Sequence, residues 1–130
     1  MELLTDELKQ RFPPLYSKDG EDPKDVLVIA KFFNPCGAGT WYATEGSAQL
    51  SDGREVPLSQ MDHLPDGIEV EDVIFFGLAN ILEPELGNFS LRELQSLRLM
   101  GGALGIERDL HLGNITLTDA MEREGMSVAS

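Results

Sequence analysis

The stretch 72–99, DVIFFGLANILEPELGNFSLRELQSLRL, constrains the fold more than any other. Val73-Ile74-Phe75-Phe76 is β-branched and aromatic, which suits a pleated and largely buried strand. Gly77 interrupts it, and a glycine inside a strand pattern marks a bulge or a close backbone approach. Leu78, Ala79, Ile81 and Leu82 carry the apolar character on. Pro84 lacks a ladder donor and is expected to end regular pairing, with Gly87 in a turn. Ser90 then starts a helix. Its hydroxyl can accept from the amide of Glu93, and Glu93 can reach back, as in a capping box. Phe89 and Leu94 are spaced as a hydrophobic staple, and Leu91, Leu94 and Leu97 make one apolar face. Arg98 suits the negative end of the helix dipole, and Gly101-Gly102 read as the stop.

Other elements can be placed around this one. Thr5 caps a first helix with Asp6 and Glu7 in its first turn, Leu8 and Phe12 on one face, and Pro13-Pro14 at its end. Leu15-Tyr16 should tuck under the domain, and residues 17–24 form a polar turn. Val26 to Phe33, VLVIAKFF, reads as a central strand covered on both faces. Residues 34–39 are a turn, and Thr40 to Thr44 reads as a second strand, antiparallel to the first. Glu45-Gly46 opens a long polar region. Asp52-Gly53, Pro57, Pro65 and Asp66-Gly67 within it are turn signals. Gly105 to Leu112 alternates as a short strand, Thr118 can cap a last helix to Glu124, and residues 125–130 should fray. The expected fold is a single α+β domain over 1–130. Its mixed or antiparallel sheet has about 3–5 strands flanked by short helices, with a variable acidic loop over about 47–72.

Charge is the strongest compositional signal. Ten Lys and Arg face 23 Asp and Glu, a net charge of −13. Such a surface repels a phosphate backbone, which argues against direct nucleic-acid binding. It favours a protein partner with a basic surface. Asp62, Asp66, Glu69, Glu71 and Asp72 fall in a run from Gln60 to Asp72 without Lys or Arg. That run is either a solvated loop or an acidic patch offered to a partner. No apolar run is long enough to span a membrane, and the amphipathic start MELLTDELKQRF lacks the plan of a secretory signal. Cys36 is the only cysteine and reads as a loop thiol, in keeping with a reducing cytoplasmic location.

Motifs for chemistry are sparse. There is no phosphate-binding glycine loop, dinucleotide fingerprint, His-Glu-x-x-His or nucleophile elbow, and no cofactor is expected. Glu107, Asp109 and His111 share one face of the Gly105–Leu112 alternation and could hold a metal. A half-exposed strand gives the same spacing. His63 reads as a loop residue.

LLTDEL, PPLYS, KFFNP, TWYATEG, FFGLA, ELGNFSLRELQSL and GIERDL occur in this order and span Leu3 to about Leu112. With them the chain resembles the bacterial domain of unknown function 2958 family. On that resemblance the acidic segment 47–72 looks like an insertion, and the tail is unmatched. The resemblance implies a setting among accessory genes of plasmids, phages and other mobile elements, and it brings no catalytic residues. The favoured expectation is a non-enzymatic acidic protein that binds a host protein, as a nucleic-acid mimic inhibiting CRISPR or restriction machinery would. The alternatives are an adaptor in plasmid or phage DNA maintenance, and a small metal-dependent enzyme using Glu107, Asp109 and His111.

Overall fold

The computed structural model describes residues 1–99 and 104–127. Its helices are α1 (Asp6–Arg11), α2 (Leu91–Ser96) and α3 (Leu117–Arg123). Its strands are β1 (Ala30–Phe33), β2 (Thr40–Leu50), β3 (Glu55–Pro57), β4 (Val70–Asn80), β5 (Pro84–Ser90), β6 (Arg98–Leu99), β7 (Leu104–Gly105) and β8 (Glu107–Arg108). Six strands form one sheet in the order β5-β4-β2-β1-β8, with β3 also on β2, and β6 pairs with β7. Every pairing is antiparallel. The α+β expectation therefore holds, with more strands than the three to five expected.

The main difference lies in β2. Glu45-Gly46 does not open a polar loop, because β2 continues to Leu50 and pairs with β4 along its length. Its other flank is divided among three segments. β1 takes 40–43 and β3 takes 47–49. Between them the Gly46 amide donates to the Pro13 carbonyl at 3.0 Å, and the Leu15 amide donates to Ser47 Oγ at 3.0 Å. This crossing buries Thr44, Glu45 and Ser47, whose polarity alone would place them in solvent. The expected 47–72 loop is likewise largely structured. It holds the end of β2, β3, a 3₁₀ turn at Leu58–Gln60 and the start of β4.

A bulge shifts the phase of β2. Ala43 pairs with Gly77 and Glu45 with Phe76, so Thr44 is the extra residue. Before it, Trp41 and Ala43 face the main core. After it, Ala48 and Leu50 do, and a Cβ on Gly46 would meet Leu58 and Phe75. Glu45 is thereby turned to the opposite face. Gly77 sits beside the bulge, where a Cβ would overlap the Tyr42 carbonyl oxygen, as the close-approach reading of this glycine expected.

Pro84 does not end pairing. It opens β5 opposite Asn80, on an edge strand that tolerates a missing donor, and Gly87 lies within β5 opposite Gly77 rather than in a turn. The turn is at 81–83, with Ile81 and Leu82 exposed. α2 starts at Ser90, whose hydroxyl accepts from the Glu93 amide at 3.0 Å. Among the described residues only this forward half of the capping box forms. Asp72 adds a second cap, because its Oδ1 accepts from the Arg92 amide at 3.1 Å and the Val73 amide at 2.8 Å. Two free amides of one helix end thus use two different strands. Phe89 and Leu94 are buried in the same core, whereas Leu97 is exposed past the helix end. Arg98 enters β6 instead of ending the helix, and Gly101-Gly102 lie outside the described residues. Ser90→Ala is expected to lower stability by about 1 kcal/mol, and Asp72→Ala by a similar amount, since each strands a different helix amide. Urea midpoints measure both, and two unchanged midpoints would mean that these caps contribute nothing.

Val26 to Phe33 splits in two. Only Ala30–Phe33 is a strand of the sheet. Val28 donates to Ile115 O at 2.9 Å, and Leu117 donates to Val26 O at 2.8 Å, so the first half serves the C-terminal segment. Gly105 to Leu112 is broken as well, since β8 spans only Glu107–Arg108 before the turn at Leu110-His111. α3 is capped by Thr116 rather than Thr118, with a full capping box to Asp119. It ends on Gly125 (φ 78°), with Met126 N bonded to Met121 O and Gly125 N to Glu122 O, a Schellman closure. Gly125 and Met126 are therefore not frayed, and 128–130 lie outside the described residues.

The sheet has a core on each face. Leu8, Phe12, Phe32, Trp41, Phe75 and Leu94 belong to the larger one, which α1 and α2 cover. Val28, Tyr42, Leu78, Ala120 and Met121 form the smaller one under α3. Tyr42 donates to Glu124 Oε2 at 2.9 Å, and Asn80 Nδ2 donates to Glu124 Oε1 at 2.8 Å, which tethers the end of α3 to the sheet. Burial, and then that bond to Glu124, hold the Tyr42 phenol well above its usual pKa.

Candidate functional site

The five acidic residues singled out in the sequence differ in their surroundings. Asp62 pairs with Lys9 Nζ at 2.9 Å, and this hydrogen bond is the chief reason the Lys9 pKa is raised. Asp72 caps α2. Asp66, Glu69 and Glu71 are exposed and make no ion pair among the described residues. These three remain free to face a partner.

Glu107, Asp109 and His111 do not converge. Asp109 Oδ2 lies 3.8 Å from Lys31 Nζ, and its Oδ1 accepts from the His111 amide at 2.8 Å, with His111 exposed in the turn. Among the described residues no group of three or more His, Cys, Asp or Glu is placed to hold a metal ion. His63 and Cys36 are exposed, and the Cys36 amide donates to Asn34 Oδ1 within its turn.

Glu45 is the residue that sequence reasoning missed. Only 2% of it is exposed, and its Oε2 is buried without a hydrogen-bond partner. It lines two neighbouring cavities of about 190 and 330 Å³, both also lined by Asp19 and Phe76. Leu86 and Val26 add an apolar wall to the first, and Tyr16 and Asn88 border the second. Tyr16 has φ 70°, the left-handed region that β-carbon residues rarely occupy, and its turn carries the backbone across Glu45. Burial raises the Glu45 pKa. The amides of Lys18 and Tyr16 draw it only partly back, and the negative Asp19 adds to the rise. Lys18 is the cation beside the cleft, and it pairs with Glu21 at 3.5 Å.

The cleft therefore offers a desolvated carboxylate over an apolar floor of Phe76 and Leu86, a site suited to a cation with an aliphatic or planar body. The sequence holds one clue to it. The apolar alternation Trp41, Ala43 resumes as Ala48, Leu50 after a one-residue slip, which is the mark of a bulged strand rather than a loop.

A carboxyl with a raised folded-state pKa contributes stability fully present below its unfolded pKa and lost as pH rises through the folded one. Glu45→Gln is thus expected to raise the urea midpoint at neutral pH, with the gain over wild type vanishing as pH falls to about 4. A gain that stays constant with pH would show that Glu45 does not titrate abnormally.

Comparison with known proteins adds a family. No match was found among curated proteins or solved structures. A family model described as "Protein of unknown function (DUF2958)" matches residues 56–122. The match starts inside β3 and ends inside α3. It spans the acidic segment from Val56 onward, and it reaches beyond Leu112 into the tail held to be unmatched. FFGLA, ELGNFSLRELQSL and GIERDL fall within it, whereas LLTDEL, PPLYS, KFFNP and TWYATEG, with Glu45, fall before it. Since the matched span is just over half of the sequence, the chain belongs to the DUF2958 family.

Proposed function

We propose that the protein works by binding a basic surface of another protein and that it takes a lysine or arginine side chain of that partner into the Glu45 cleft. The observation that carries this reading is the buried Glu45 carboxylate, whose Oε2 has no hydrogen-bond partner, in a domain of net charge −13. A partner cation would supply the missing counter-charge, and its aliphatic stem would lie on Phe76 and Leu86. The exposed Asp66, Glu69 and Glu71 have a different task. They steer encounter at long range and set register more than they add affinity. A nucleic-acid-binding defence protein of a bacterial host has the required surface chemistry, and inhibition of such a protein fits the mobile-element setting that the family resemblance implies.

The test measures binding of an arginine-rich peptide to wild type, Glu45→Gln, and the triple variant Asp66→Asn/Glu69→Gln/Glu71→Gln. Wild-type binding should weaken as the Debye length falls from roughly 10 Å at 0.1 M salt to 3 Å at 1 M. Glu45→Gln should lose about tenfold or more in affinity, mostly through faster dissociation. The triple variant should associate more slowly and respond less to salt. Equal binding by all three proteins would reject the proposal.

A further inference from the structure

The cations of this chain are outnumbered by more than two to one, 10 against 23, so each should find a carboxylate with ease. Lys9, Lys18, Lys24, Lys31 and Arg54 do. Arg11 and Arg108 make no ion pair among the described residues, and both line one cavity of about 290 Å³. Arg108 lines this cavity, and its Nε is buried without a hydrogen-bond partner. A buried donor on a fixed positive charge is costly to leave unmade. The one carboxylate among the described residues of the wall, Asp109, is engaged elsewhere, by Lys31 at 3.8 Å and by the His111 amide at 2.8 Å.

Position favours recognition as well. Arg108 sits in β8, paired with Phe32 of β1, and its amide contacts Met1 Sδ at 3.0 Å, so its backbone is held by the sheet. Arg11 ends α1, and Leu8 and Ile29 give the cavity an apolar side. The guanidinium is a planar fork that meets a carboxylate or phosphate with two parallel hydrogen bonds. A cavity of this size is at the small end of ligand sites.

We propose that the Arg11–Arg108 cavity binds a small organic oxyanion, a carboxylate or phosphate group on a short apolar body. The site shares no residue with the Glu45 cleft and stands whether or not that cleft takes a basic partner. Against a field of −13, anion binding here has to come from local donors rather than from long-range attraction.

The experiment is an amide-resolved NMR titration of the full chain at constant ionic strength, with inorganic phosphate in one arm and succinate in the other. Saturable shifts are expected at 8–11 and 108–114, with a dissociation constant of about 1 mM or tighter. Saturation by phosphate alone assigns a phosphate ligand, by succinate alone a carboxylate, and by both a general oxyanion site. Any of the three supports the proposal. Arg11→Gln, at an exposed position, should weaken binding by about tenfold, and Arg108→Lys should weaken it similarly by keeping the charge but losing the fork. Lys24→Gln, remote from the cavity, should change nothing. Shifts that do not saturate, or that persist unchanged in both arginine variants, would overturn the proposal.

Discussion

Gly77→Ala is expected to destabilise the protein by about 4 kcal/mol or more, a large part of the roughly 5–15 kcal/mol that holds a domain of this kind together. The reason is steric and does not involve an unusual backbone angle. A methyl at Gly77 would overlap the Tyr42 carbonyl oxygen, and its next neighbours are also backbone atoms, Tyr42 C and Ala43 Cα. No flexible side chain can move aside, so β2 and β4 would have to separate where the bulge already disturbs their ladder. Gly87→Ala is the matched control. Gly87 lies directly across the next ladder from Gly77, with no atom within 4 Å of an added Cβ. It should fall within about 0.5 kcal/mol of wild type. Chemical denaturation of both variants checks the pair. Similar midpoints for the two would show that the approach at Gly77 is not tight.

Phe75→Ala should cost about 3–5 kcal/mol. Phe75 is fully buried, and its ring is tilted against those of Phe12 at 5.2 Å, Phe89 at 5.6 Å and Phe32 at 5.7 Å. These neighbours come from the end of α1, from β5 and from β1, so one ring on β4 joins an N-terminal helix to two further strands of the sheet. Truncation would leave a cavity bounded by strands that cannot close on it, and it would also lose the tilted contacts between rings. Phe75→Leu should recover part of the loss. A thermal or urea midpoint within error of wild type for Phe75→Ala would contradict this account of the core.

The same residues show what could be read in advance. Val73 to Phe76 was legible because side-chain chemistry and burial agree there. The caps at Thr5 and Ser90 were legible because they depend on neighbours three residues away. Glu45 was not, since its burial comes from Pro13 and Leu15, thirty or more residues earlier, crossing the flank of β2. Pro84 misled for a related reason. A proline ends a central strand but can open an edge strand, and which of the two β5 is depends on the whole sheet order. Asp72 was read as part of a surface patch, yet its two accepted amides belong to elements that meet only after folding. Of the candidate sites, the acidic run and the Glu107–His111 alternation were visible as local patterns. Both the Glu45 cleft and the Arg11–Arg108 cavity are made by distant segments and have no local pattern to show.

The place of β2 between β4 and β1 separates the unit of sequence similarity from the unit of folding. The family match begins at Val56, after β2 has ended. A polypeptide cut to that span would keep the β4–β5 hairpin but bare the other side of an eleven-residue strand, with its row of unpaired amides and carbonyls. Such an edge is a template for strand addition from a second chain, and self-association into aggregates is its natural outcome. It is β2, from the N-terminal fifty residues, that covers this side of β4 in the full chain.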